Sequence, residues 1–186
     1  EHPVWKGLDG VIGMQYFTQN NDNKPGTETL PFIPNYNTFR FGLFAVEKIK
    51  FDDDILEAGL RFDVETNDVR GENNVTREIY RDRYTFSNVV ASLGYNWKLT
   101  DNSQFKTNLG SAFRTPNVAE LFSFGQSGFS TLFGLLRIKV EDDGSLNANE
   151  VTPLSESSVK VESGYKLTNE FKYFNDKNAH AITTYV

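Results

Sequence analysis

The sequence has no cysteine. That excludes a disulfide framework and a thiolate metal site, and it suits any compartment, a bacterial envelope included. Histidine is nearly as scarce: His2 and His180 are far apart and have no neighbouring ligand pattern, so no metal site and no cofactor are expected. No Ser or Asp stands out as a partner for His180 on a facing strand, so no enzyme activity is expected. Basic charge is in deficit, 19 Lys and Arg against 25 Asp and Glu, and it is scattered, which argues against a nucleic-acid partner. No run of about 18 apolar residues occurs, so no helix can cross a membrane. A membrane β-barrel stays open, because its alternating strands average out as polar. The chain begins "EHPVWKG", without an initiating Met or a signal-peptide pattern. That reads as an interior cut from a longer protein.

What is abundant is aromatic: 16 Phe and 8 Tyr, both strand formers. Their spacing, with that of the aliphatic residues, has period two. In 55–65, Leu56, Ala58, Leu60, Phe62 and Val64 share one face, and Glu57, Gly59, Arg61, Asp63 and Glu65 the other. In 84–97, Val89, Ala91, Leu93, Tyr95 and Trp97 oppose Asn88, Ser92, Gly94 and Asn96. In 105–114, Phe105, Thr107, Leu109, Ser111 and Phe113 oppose Lys106, Asn108, Gly110, Ala112 and Arg114. In 157–167, Val159, Val161, Ser163, Tyr165 and Leu167 oppose Lys160, Glu162, Gly164 and Lys166. Strands are also expected over 4–17, with Leu8, Ile12, Met14 and Tyr16 on one face, over 38–49 with apolar groups on both faces, and over 180–186. Whether 166–174 extends its strand or breaks it at Thr168-Asn169 is open, as is a short strand or helix over 134–140.

The connections alternate in length. Long segments, 18–37, 66–83 and about 115–156, alternate with tight turns at 51–54, 99–104 and 175–178. The pattern predicts an all-β, antiparallel, up-and-down sheet with loops at one end and turns at the other. The acidic run Asp52-Asp53-Asp54 lacks EF-hand spacing and reads as a solvated turn, and "VEDDGS" (140–145) reads as a loop. Asn74-Val75-Thr76 matches a glycosylation pattern and carries little weight.

Alternation alone does not say whether the apolar stripe meets lipid or a protein core. A soluble barrel or sandwich binding a small ligand or glycan is the alternative; it requires Leu60, Phe62, Leu93 and Leu109 to converge on one interior. Three features favour lipid. The polar face carries Glu57, Arg61, Asp63, Lys106, Arg114, Lys160 and Glu162, as a wide lumen allows. Tyr95, Trp97 and Phe105 gather beside a tight turn, as in the aromatic girdles of membrane barrels. The strands run to about 10–14 residues, more than the usual 5–6 of globular sheets and enough to cross a bilayer at a tilt.

One stretch is more specific. In "FRTPNVAELFSFG", Phe113, Arg114, Pro116, Asn117, Glu120, Leu121 and Phe122 match the Phe-Arg-(Ala)-Pro-(Asn)-x-x-Glu-Leu-(Tyr/Phe) motif of TonB-dependent outer-membrane receptors. "GLRFDVE" (59–65), "SSVKVESGYK" (157–166) and "FIPNYNTFRFGLFAVEK" (32–48) resemble further parts of that family's barrel, in the right order. The usual Asn-Pro-x-Leu-x-Pro-Glu stretch is replaced by "GSLNANEVTPLSESS" (144–158). The resemblance implies a partial transmembrane barrel in a bacterial outer membrane: about seven strands of a family barrel of 22, with long extracellular loops and short periplasmic turns. Residues 1–186 would all belong to the barrel domain, with the plug domain absent. It implies uptake of a metal chelate such as an iron–siderophore complex, a vitamin or an oligosaccharide, with outer-membrane lipid and, through the plug, the TonB complex as partners. Pro116 cannot donate to a ladder, so it ends strand pairing. Arg114 and Glu120 then read as a rim ion pair fixing a loop, and Phe124, Phe129 and Phe133 as candidates for ligand contact or for packing within that loop.

Overall fold

Seven long segments of alternating sequence pair into one antiparallel sheet in the computed structural model, which describes residues 8–24, 26, 30–73, 75–127 and 129–186. The long strands are β1 (Leu8–Asn21), β2 (Asn35–Phe51), β3 (Asp54–Glu72), β4 (Ile79–Thr100) and β5 (Ser103–Arg114). A segment follows with a short helix α1 (Val118–Phe122), two small hairpins, β6 (Phe124–Ser127) with β7 (Ser130–Phe133) and β8 (Lys139–Val140) with β9 (Leu146–Asn147), and a 3-10 turn at Leu154–Glu156. The strands β10 (Glu162–Phe174) and β11 (Ala179–Tyr185) complete the sheet, whose order is β1-β2-β3-β4-β5-β10-β11. Each long strand pairs with its chain neighbour, so the topology is up-and-down. Among the described residues β1 and β11 each have one strand neighbour, so the sheet is an arc. Residues 4–7 of the first expected strand, His2 and Asn74 lie outside the described residues.

The register settles what the apolar stripe faces. Met14, Leu43, Phe62 and Val89 form one cross-strand row, and Ala58, Leu93, Leu109 and Leu167 another. Leu60 is 58% exposed, Phe62 41%, Leu93 53% and Leu109 53%. A soluble core would bring these below 10%; here they stand on the outer surface of the arc, where hydrocarbon rather than water covers them. Aromatic rows bound the stripe. At the turn end Trp97 lies 4.4 Å from Tyr95 and 6.0 Å from Phe105, and at the loop end Tyr16 lies 5.8 Å from Phe39. From Phe39 to Phe51 on β2 the strand rises about 40 Å, which at a tilt near 40° is about 30 Å of height, the thickness of a bilayer core.

The inward face is polar through the same zone. Arg40 pairs with Glu65, Arg61 with Asp63 at 2.5 Å, and the Thr38 hydroxyl donates to Asn67 Oδ1 at 2.5 Å. Arg61 also donates to Gln15 Oε1 at 2.9 Å and stacks over the Phe44 ring. That ring covers Gly13, where a Cβ would overlap it. Glu65, Asn67 and Asp63 are buried by this network, so their cost of desolvation is offset by hydrogen bonds to charged partners.

Three expectations are corrected. The segment 66–83 is mostly strand: β3 continues to Glu72 and β4 begins at Ile79, leaving a connection of 73–78. The alternation persists there with reversed polarity. Asp68, Arg70, Arg81 and Arg83 point outward and Val69, Tyr80 and Tyr84 inward, so the stretch no longer looks like a lipid-facing strand. The segment 18–37 likewise shortens to 22–34. Residues 157–161 are not strand; β10 begins at Glu162, and Val159 and Val161 pack against the core of the long loop instead. At the positions left open, 166–174 does continue β10, and Lys139–Val140 is a short strand.

Candidate functional site: the strand-to-loop corner and the inward-folded loop

The corner starts where β5 ends. Arg114 lies opposite Glu162 in the β5–β10 ladder. Its Nε and Nη2 donate to the two carboxylate oxygens of Glu162 at 2.9 and 2.8 Å, a bidentate pair, and its Nη1 donates to Glu120 Oε1 at 2.7 Å. Thr115 and Pro116 leave the sheet, and the Thr115 hydroxyl donates to Glu65 Oε2 at 3.2 Å on the inward wall. Asn117 then caps α1. Its Oδ1 accepts from the Glu120 backbone N–H at 2.9 Å, and Glu120 Oε2 accepts from the Asn117 backbone N–H at 3.0 Å, a reciprocal capping box. One carboxylate therefore closes the helix cap and holds the strand end. The Asn117 backbone N–H, then the Arg114 guanidinium, hold the Glu120 carboxyl below its ordinary value.

The residues after the cap turn inward. Val118, Leu121 and Phe122 are buried. Phe122 stacks 5.9 Å from Tyr80 and 6.1 Å from Tyr84 on the inward face of β4, and Leu136 closes the cluster with Val69 and Phe86. Backbone bonds clip the later chain to this helix: Leu136 N–H to Leu121 O at 2.9 Å, Leu135 N–H to Glu120 O at 2.9 Å and Gly134 N–H to Ser123 O at 2.7 Å. Gly134 passes so close that a Cβ would overlap the backbone of Leu121 and Phe122. Further along, the Leu154 N–H donates to Asp82 Oδ2 at 3.0 Å, and Asn73 Nδ2 donates to Asn149 O at 2.6 Å. The segment is thus held to the lumen side of the extended β3–β4 wall through α1, Leu136 and Leu154.

Three phenylalanines of this loop take different positions. Phe124 and Phe133 face each other across the β6–β7 hairpin, edge to face at 5.0 Å. Phe129 is fully exposed at the hairpin's turn. Reading the sequence missed two residues. Glu162 was visible on a polar strand face, but its register opposite Arg114 was not. Arg137 is buried between the rings of Tyr80 and Phe124, 5.0 Å from each; an arginine inside the apolar run "GLLRIKV" was the available signal. A cavity of about 460 Å³ opens beside it, lined by Tyr80, Phe122, Phe124, Arg137, Pro31 and Asn23. Among the described residues no cluster of three or more His, Asp or Glu forms a metal-holding group. Of the Asp52–Asp54 run, Asp53 pairs with Lys98 at 2.9 Å and Asp54 accepts from the Tyr95 hydroxyl at 2.9 Å.

A strand-crossed lipid band, a polar lumen face and a loop folded over that face define a segment of an outer-membrane barrel. The chain belongs to the family described as TonB dependent receptor-like, beta-barrel, whose model matches residues 1–185. Among solved structures it is similar to "Copper transporter OprC", with a TM-score of 0.64 and 19% identity. The match covers 97% of this chain and 28% of that one, so the chain spans less than a third of that protein's length. At this identity the likeness speaks for the fold. No curated protein matches. The family places the chain in the bacterial outer membrane.

Proposed function

We propose that residues 1–186 form wall and external loops within one barrel domain of a receptor that takes up a large, scarce nutrient across the outer membrane. An iron–siderophore complex is the leading ligand class, with haem, a vitamin or an oligosaccharide behind it. Energy would come from the TonB complex through a plug domain outside this segment, and the chain would perform no covalent chemistry. The inward-folded loop carries this reading. It puts an aromatic- and arginine-lined cavity at the lumen mouth, within the usual 300–1,000 Å³ of small-molecule sites. It also presents Phe129 fully exposed, where a ligand face can stack. In this reading the corner of Phe113, Arg114, Pro116, Asn117, Glu120 and Leu121 holds the loop in place and makes no ligand contact.

The solved neighbour is described as a copper transporter. A soft-metal site favours Cys and Met ligands. This segment has no cysteine, and its one methionine, Met14, stands on the lipid-facing row. This segment itself therefore offers a copper ion neither a thiolate nor a lumen-facing thioether. The test is growth of a receptor-deleted strain carrying the full-length receptor, either intact, Phe129→Ala or lacking 125–132. Haem, ferric hydroxamate and ferric catecholate serve in turn as sole iron source. Growth that depends on the intact hairpin supports the reading. Equal growth with and without the hairpin on all three would end it.

A further inference from the structure

Above the lipid band, the outward face of β3–β4 carries a charge arrangement that the sheet itself does not use. Arg70 and Arg81 are directly opposite in the antiparallel register, on the same outward face. Like charges so placed repel and destabilise a strand pair. Neither has a carboxylate partner among the described residues. One row closer to the membrane, Asp68 faces Arg83 with 3.4 Å between charged atoms, both well exposed. Further out, Arg77 is already held by Glu72 at 2.9 Å.

These residues line a groove of about 630 Å³ that includes Asn20, Asn37, Asp68, Arg70, Arg81 and Arg83. Of its three carboxylates, Asp82 points inward and accepts the Leu154 N–H, and Asp22 accepts from Asn35 Nδ2 at 3.1 Å. On the outward side Asp68, paired with Arg83, and Asp22, held only by the neutral Asn35 amide, face three arginines, so the groove keeps a net positive charge. The groove continues downward, past Thr18, Phe39 and Thr66, into the rows that face hydrocarbon. Arg70 lies four residues beyond Thr66, about 10 Å higher at the strand tilt, at or just above the headgroup layer.

We propose that this outward groove binds the phosphate-bearing headgroup of an outer-leaflet lipid, with Arg70, Arg81 and Arg83 as phosphate donors and the rows below Thr66 against its acyl chains. The chemistry fits on three points. Two guanidiniums without a carboxylate partner stand at directly opposite positions of the ladder, so one phosphate bound by both would turn repulsion into a shared charge-assisted contact. Asn20 and Asn37, which hydrogen-bond each other at 2.5 Å, offer amide groups beside the arginines. The apolar lower end suits a molecule that is part headgroup, part chain, and not free phosphate.

The test uses the full-length receptor purified in detergent. The readout is the temperature at which heat-modifiable gel mobility converts from folded to unfolded. The probes are a bisphosphorylated glucosamine-disaccharide lipid (lipid A), the same lipid with its phosphates removed, and inorganic phosphate. The bisphosphorylated lipid should raise the conversion temperature, and the other two should not. The R70Q/R81Q variant should need about ten- to a hundredfold more of that lipid, the effect of losing charge-assisted hydrogen bonds. The D68N variant, which frees Arg83, should need less. An equal response of R70Q/R81Q and the unaltered receptor overturns the proposal. So does an equal effect of the dephosphorylated lipid or of phosphate alone. Should R70Q/R81Q not fold, D68N decides: a response unchanged or weakened overturns the proposal.

Discussion

Replacing Phe122 by alanine should release the long loop while leaving the barrel wall intact. Phe122 is almost fully buried between α1 and the rings of Tyr80 and Tyr84. Removing such a ring ordinarily costs about 3–5 kcal/mol in lost burial and cavity formation. The wall does not share that cost, because its hydrogen-bond ladders and lipid-facing rows lie elsewhere. The loss therefore falls on the local equilibrium between the docked and the open loop. Each 1.4 kcal/mol is tenfold, so the open population should rise by about two to three and a half orders of magnitude. Hydrogen exchange on the full-length receptor reads this directly. The amides of Gly134, Leu135 and Leu136, which bond to Ser123, Glu120 and Leu121, should exchange faster by at least about a hundredfold. Amides in the middle of β3 and β4 should not change. If the loop amides stay protected in the variant, Phe122 does not anchor the loop. If the strand amides lose protection with them, loop and wall are one cooperative unit and the local picture is wrong.

Three further outcomes follow from the same geometry. Leu60→Arg, in the middle of the outward stripe, should cost about 2–4 kcal/mol in denaturant unfolding from lipid vesicles, whereas Thr85→Arg at the stripe's upper edge should cost under about 1 kcal/mol; equal costs would contradict the placement of the band. Glu120 has its pKa depressed in the folded corner, so its contribution is complete above its ordinary value near 4.5 and fades as pH falls through the lower folded value; protease cleavage within 115–161 should rise over that acidic window, and Glu120→Gln should show a smaller rise, the remainder coming from Glu162, whose carboxyl Arg114 also holds low. Gly134→Ala should open the loop by about 1–3 kcal/mol, seen as faster cleavage at 124–133, because a methyl there meets backbone that cannot give way.

Where the two faces of a strand keep one polarity, the sequence alone reveals both strand and orientation. Leu56 to Val64 read correctly because every outward side chain there meets hydrocarbon and every inward one meets the polar lumen. From Thr66 onward the same strand leaves the bilayer. The outward positions Asp68 and Arg70 meet water and headgroups, and the inward Val69 meets the loop cluster of Leu121, Phe122 and Leu136. The period is unchanged and the polarity reverses. A reading that equates strand with apolar-outward ends the strand at that reversal and declares a loop, as happens over 66–83. The corner motif was legible as a turn because Pro116 and the Asn117–Glu120 spacing act within a few residues. The partnership of Arg114 with Glu162 spans 48 residues and depends on register, which no local pattern carries. Arg137 is the hardest case. A charge among apolar residues reads as exposed, yet stacking between Tyr80 and Phe124 makes the interior of the loop the better place for it. What stays hidden is therefore what two distant segments make together at the loop end of the sheet.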